Sequence, residues 1–138
     1  MLHHEGTKNT KLMKASALAI SHEVIGSAIE VHRLIGPGLL ESVYEAALCC
    51  ELRLRGISAE RQVSIPVHYK GETLDCNLKL DLLVEKSIIT EIKSFDKLIP
   101  VHTAQLLTYL RLQDIWLGLL INFNVGLLRD GVRRVLNG

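Results

Sequence analysis

The sequence predicts one α/β domain built on a mixed sheet, and three observations carry that reading. Two helical stretches come first, before any strand pattern. An alternating arm from Leu74 to Val84 is then followed closely by a second short strand, which is the pattern of a hairpin. A proline-led helix leads finally to Trp116–Phe123, WLGLLINF, whose continuous apolarity suits a strand covered on both faces. Three antiparallel strands, a crossover helix and a buried strand make a mixed sheet. A length of 138 residues suits a single core.

Each element has its own local cause. Residues 1–12 are polar and are expected to be flexible, with the folded domain spanning 13–138. From Met13 to Leu34 an apolar stripe of Leu18, Val24, Ile25, Ala28, Val31 and Leu34 specifies an extra N-terminal helix. Gly26 inside it marks a close helix contact, and Gly36-Pro37-Gly38 stops it. A second helix is expected from about Leu39 to Arg55, with Gly56 as its stop. Ala59 to Tyr69 alternates as a strand, and Pro66 marks it as an edge or a bulge. Lys70-Gly71-Glu72 turns the chain into the hairpin. Pro100 opens the helix that reaches Leu112. After a polar turn at Arg129-Asp130-Gly131, Val132 to Leu136 is a short last strand.

Bulk composition narrows the partners. At 48% hydrophobic and 4% aromatic the core is mostly aliphatic. A formal net charge of +1 gives no polyanion partner by itself, although a local basic surface is compatible with it. Cys49, Cys50 and Cys76 are odd in number and form no CxxC, which argues against a disulfide framework or zinc site. No apolar run reaches membrane-span length and the polar start lacks a signal-peptide core, so a cytoplasmic location without membrane contact is expected.

The hairpin carries the chemistry. Its even positions Leu74, Cys76, Leu78, Leu80, Leu82 and Val84 are apolar, and Asp75, Asn77, Lys79 and Asp81 between them are polar. In the second arm Ile88, Thr90 and Ile92 share one face, and Glu91 and Lys93 the other. Pairing Asp81 with Glu91 sets Val84 opposite Ile88 and leaves Glu85-Lys86-Ser87 as a three-residue loop. A two-residue turn at Lys86-Ser87 would instead need a bulge near Asp81 to reunite the carboxylates.

Two carboxylates and an ammonium suit metal-assisted phosphodiester hydrolysis. Mg²⁺, with Mn²⁺ as a substitute, takes oxygen ligands and retains waters. Asp81 and Glu91 would hold it, with the backbone carbonyl near Ile92 as a third ligand. Lys93 would orient the attacking water or stabilise developing charge. Gln105 and Tyr109, on one side of the following helix with His102, would reach the scissile region. Glu41 could support a ligand from the second helix. Its plainer alternative is an acidic residue that favours a helix N-terminus electrostatically, beside a core Tyr44. An acidic residue, any residue, then lysine arises by chance roughly once in such a chain. The weight therefore rests on Asp81 and the hairpin together with Glu91-Ile92-Lys93.

These residues resemble the PD-(D/E)xK nuclease superfamily, and within it the small group called GxxExxY proteins. Gly38-Leu39-Leu40-Glu41-Ser42-Val43-Tyr44 fits the name motif, and Asp81 with Glu91-Ile92-Lys93 fits the D…ExK core. Gln105 to Tyr109 resembles the QxxxY element of related nucleases, and Pro100-Val101-His102 and Leu120–Asn124 resemble further segments of the group. The likeness spans about Ala15 to Asn137. Leu80 stands where the superfamily name would place a proline. The resemblance implies a restriction-endonuclease-like αβββαβ core, with Asp81 and Glu91 as metal ligands and Lys93 as catalytic lysine. It implies Glu41, Gln105 and Tyr109 as accessory site residues, and nucleic acid, DNA first, as substrate. Two other readings stand beside a nuclease: a non-catalytic nucleic-acid-binding or assembly module, and a homo-oligomer joined by the N-terminal helix.

Overall fold

The computed structural model describes residues 2–138, with side chains from Asn9 onward. Among these the chain forms α1 (Leu2–Ile35), α2 (Glu41–Leu54), β1 (Ala59–Tyr69), β2 (Glu72–Val84) and β3 (Ile88–Lys93). There follow α3 (Pro100–Gln113), β4 (Leu117–Asn122), a 3₁₀ turn (Leu128–Gly131) and β5 (Val132–Leu136). Strand order is β1-β2-β3-β4-β5. The β3–β4 pair is parallel and every other pair is antiparallel. This is the mixed sheet expected, with α3 as the crossover between the parallel strands. No described helix is long and apolar enough to cross a membrane.

Local chemistry sets the boundaries. Gly36 takes φ 72° and donates its N–H to His32 O at 2.8 Å, closing α1. Gly56, at φ 76°, does the same for α2 with a 3.0 Å bond to Arg53 O. Helical backbone begins at Leu2, well before Met13, because no proline interrupts the outward continuation of α1. The flexibility expected over residues 1–12 falls partly on Met1 and on side chains before Asn9, which lie outside the described residues. Gly26 does lie at a helix contact: Arg55, the residue that caps α2, donates to its carbonyl at 3.4 Å.

The sheet separates two apolar layers. On one side Val24, Ala28, Val31, Tyr44, Leu48 and Leu52 of α1 and α2 pack on Leu82, Val84, Ile88, Ile92, Leu119 and Ile121. On the other, Leu106, Tyr109 and Leu110 of α3 pack on Ile65, Leu80, Ile89 and Leu120. All six residues of β4 are buried, as its continuous apolar run requires. Pro66 serves both expectations, since β1 is an edge strand and its register with β2 shifts between Pro66 and His68.

One expectation is corrected. Unbroken alternation along Leu74–Val84 implied a single apolar face, but Leu78 and Leu80 pack toward α3 while Leu82 and Val84 pack toward α1 and α2. The switch falls at Asp81. Opposite it, Gln62 takes φ 49°, and the ladder skips from Arg61↔Leu82 to Val63↔Leu80. A left-handed residue in a strand turns its successors to the other side of the sheet.

Candidate active site

The hairpin register is the one that the three-residue loop required. Val84 pairs with Ile88, Leu83 with Ile89 and Leu82 with Thr90. Glu85 and Lys86 take φ 50° and 54°, and Ser87 N–H closes the loop on Val84 O at 2.9 Å. One step further, where Asp81 would face Glu91, backbone pairing has stopped. The Asp81 carboxylate fills the gap, its Oδ2 accepting the Ile92 N–H at 2.8 Å. In a strand the N–H and C=O of one residue leave by the same edge. The Ile92 carbonyl therefore opens toward Asp81, while the next carbonyl, Lys93, accepts Phe123 N–H on the β4 side at 3.0 Å.

Glu91 shares this gap at 4% exposure, with Oε1 accepting the Asp81 N–H at 3.4 Å. Burial above all, and then the charge of Asp81, push the Glu91 carboxyl up from 4.5 to about 9, and Lys93 offsets only part of that. Among the described residues neither carboxylate is in an ion pair. Two acids pressed together without a countercharge must share a proton or take a cation. The donor set of two carboxylates and a carbonyl is all oxygen, which fits Mg²⁺ or Mn²⁺ and not a metal that prefers nitrogen and sulfur. No group of three His, Cys, Asp or Glu converges among the described residues, so a cation there would keep several waters.

The following helix supplies the polar rim. Lys93 Nζ donates to Gln105 Oε1 at 3.2 Å. The Tyr109 hydroxyl is held above its ordinary range by burial first and by the charge of Glu91 second, with Gln105 acting against them. Tyr109 is thus a neutral donor beside the carboxylates. His102 points to other work. Its Nδ1 accepts Ile99 N–H at 3.1 Å and its ring stacks on Phe95 with centroids 5.1 Å apart, so it shapes the start of α3.

From the other side, Glu41 is the first residue of α2 and is half-buried, with no hydrogen bond or ion pair to Asp81, Glu91 or Lys93 among the described residues. The loop before it is nonetheless tied to the site. Tyr44, fully buried and stacked on Phe123 at 4.4 Å, donates its hydroxyl to Gly36 O and accepts Leu39 N–H. Ser94, next to Lys93, donates to Leu39 O at 2.7 Å.

Four residues near the site were not singled out from the sequence as site residues. Glu45 of α2 is 5% exposed and accepts from Arg61 Nε at 3.1 Å and Gln62 Nε2 at 2.9 Å. Gln62 Nε2 also reaches Asp81 Oδ1 at 3.4 Å. Asn122, paired with Lys93 across β3 and β4, clamps both backbone groups of Phe95. The sequence signals were faint: Glu45 lies one turn beyond Glu41, and Asn122 is a lone amide in an apolar strand.

An acid pair and a lysine gathered at a gap between β2 and β3, beside a crossover helix, define the class of α/β domain. Its family follows from comparison with known proteins. A family model described as the PD-(D/E)XK nuclease superfamily matches residues 18–135, and the chain belongs to that superfamily. Neither the curated proteins nor the solved structures give a match.

Proposed function

We propose that this chain is a Mg²⁺-dependent nuclease of the GxxExxY group that hydrolyses phosphodiester bonds in nucleic acid, DNA in the first instance, and works in the reducing cytoplasm. The observation that supports it most is the pairing of Asp81 with a 4% exposed Glu91 in a gap between strands, with neither acid in an ion pair among the described residues and Glu91 two residues from a lysine. Asp81, Glu91 and the Ile92 carbonyl are the ligands. When bound, the cation supplies Lewis-acid polarisation of a phosphate oxygen and lowers the pKa of water.

The chain's own residues do the rest. Lys93, held by Gln105, presents an ammonium that orients the attacking water and stabilises charge growing on the phosphate. Tyr109 donates a hydroxyl proton within the same rim, and Glu41 supports the site from the start of α2. A near-neutral charge of +1 keeps one second reading in view, a non-catalytic binding or assembly module on the same fold.

The test is cleavage of labelled single- and double-stranded DNA and RNA in Mg²⁺, Mn²⁺ or chelator. Cation-dependent DNA cleavage that chelator stops is the expected result. Thermal stabilisation by Mg²⁺ with no cleavage of any substrate would favour the binding module instead. Light scattering on the same samples decides between monomer and homo-oligomer.

A further inference from the structure

We infer that Gln62, anchored by Glu45, is a positioning residue that sets the Asp81 carboxylate for its cation, an inference that rests on the proposed metal role of Asp81. Asp81 is held from two neighbouring strands. Its Oδ2 takes the Ile92 N–H of β3 at 2.8 Å, and its Oδ1 faces Gln62 Nε2 of β1 at 3.4 Å. An amide NH₂ has two protons to give. The other goes to Glu45 Oε2 at 2.9 Å, while Glu45 Oε1 is occupied by Arg61 Nε at 3.1 Å.

The chemistry of this bridge is specific. A neutral amide donates to two carboxylates at once, so it holds them near each other without adding charge. Arg61 neutralises Glu45, which leaves the pull on Asp81 directional and not ionic. The amide orientation follows as well, because the reverse one would set its oxygen against two acids. The shorter bond is to the buried Glu45 and the longer to Asp81, so Glu45 is the anchor and Asp81 the end that adjusts.

The backbone is distorted where the bridge needs it. Gln62 is a non-glycine residue at φ 49°, and β1–β2 pairing skips it. Arg61 before it reaches toward α2, and Val63 after it packs toward α3. At this switch one side chain spans the α2 layer and the acid pair. A strained residue in an edge strand is otherwise unfavourable, which is the reason to seek a role for it.

The experiment titrates Mn²⁺ into the intact protein and reads free Mn²⁺ by electron paramagnetic resonance. Wild type, Asp81→Ala, Gln62→Asn and Gln62→Gly are compared, with metal-free melting recorded for each. Asparagine and glycine both tolerate positive φ but cannot reach Asp81. Wild type should show a saturable site and Asp81→Ala should lose it. Both Gln62 variants should bind about 10-fold more weakly, the scale of lost outer partners at metal sites, while their metal-free melting midpoints stay close to wild type, because relief of the positive φ at this position offsets the donor lost to Glu45. Weaker binding without lost stability is what a merely structural glutamine would not give. Wild-type affinity in the Gln62 variants, with Asp81→Ala still defective, overturns the bridge alone. A fall in metal-free midpoint alongside the weaker binding also overturns it. A wild type with no saturable site overturns the metal reading and the bridge together.

Discussion

Ionising Glu91 in the absence of a cation should destabilise the fold, and the size of the effect follows from its surroundings. In the folded protein this carboxyl is pushed up to about 9, first by burial and second by Asp81. In the unfolded chain it titrates near 4.3 to 4.5, as an ordinary glutamate does. Below that range the folded and unfolded carboxyls are both protonated and the stability it contributes is fully present. As pH rises through about 9 that stability is lost, because only the unfolded chain ionises freely. The full gap corresponds to roughly 6 kcal/mol, and at neutral pH to roughly 3 kcal/mol.

Water entering the splayed gap reduces this, so a loss of roughly 2–4 kcal/mol between about pH 5 and about pH 9 is expected. Urea unfolding of chelator-treated protein measures it. Glu91→Gln keeps the shape but cannot ionise, and its stability should fall by that much less over the same window. Saturating Mg²⁺ should flatten the wild-type slope. Equal slopes for wild type and Glu91→Gln in chelator would refute the reasoning.

Other outcomes test separate parts of the site. Lys93→Ala should cut cleavage by about 10²–10⁴-fold while Mn²⁺ titration shows affinity within about 2-fold of wild type, since the lysine is not a ligand. Asp81→Ala should abolish cation binding and, by leaving the buried Ile92 N–H without its acceptor, lower the metal-free stability by about 1–3 kcal/mol. Tyr44→Phe leaves Gly36 O and Leu39 N–H without their partner, and denaturant unfolding should show a loss of about 1–3 kcal/mol. In Gly118→Ala the new methyl would sit 2.9 Å from Leu106 Cδ1. That should cost about 1–3 kcal/mol and lower turnover by shifting α3 with Gln105 and Tyr109.

Much of the frame was legible because local rules and tertiary packing agree there. Of the two turns the sequence allowed, the three-residue loop at Glu85–Ser87 is the one present, and Pro66, which pointed to an edge or a bulge, lies on an edge strand beside a register shift. The apolar run after α3 is typical of a covered strand, and it is one. The side switch at Asp81 was not legible, since it depends on Gln62 adopting a left-handed conformation that no glutamine propensity signals. Glu45 stayed hidden for a similar reason. It shares a helix side with Glu41, and only the path of β1 decides which of them meets Arg61 and Gln62. His102 shares a helix side with Gln105 in sequence, yet Ile99 and Phe95 engage its ring.

Anomalous diffraction from crystals soaked in Mn²⁺ tests the central claim most directly, because it locates the cation without relying on turnover. One strong peak should lie between the carboxylates of Asp81 and Glu91, within about 2.0–2.4 Å of both and of the Ile92 carbonyl oxygen. It should be absent from crystals of Asp81→Ala. A wild-type crystal with no peak at that gap under saturating Mn²⁺, or with its strongest peak elsewhere on the molecule, would contradict the assignment of this acid pair as the catalytic metal site.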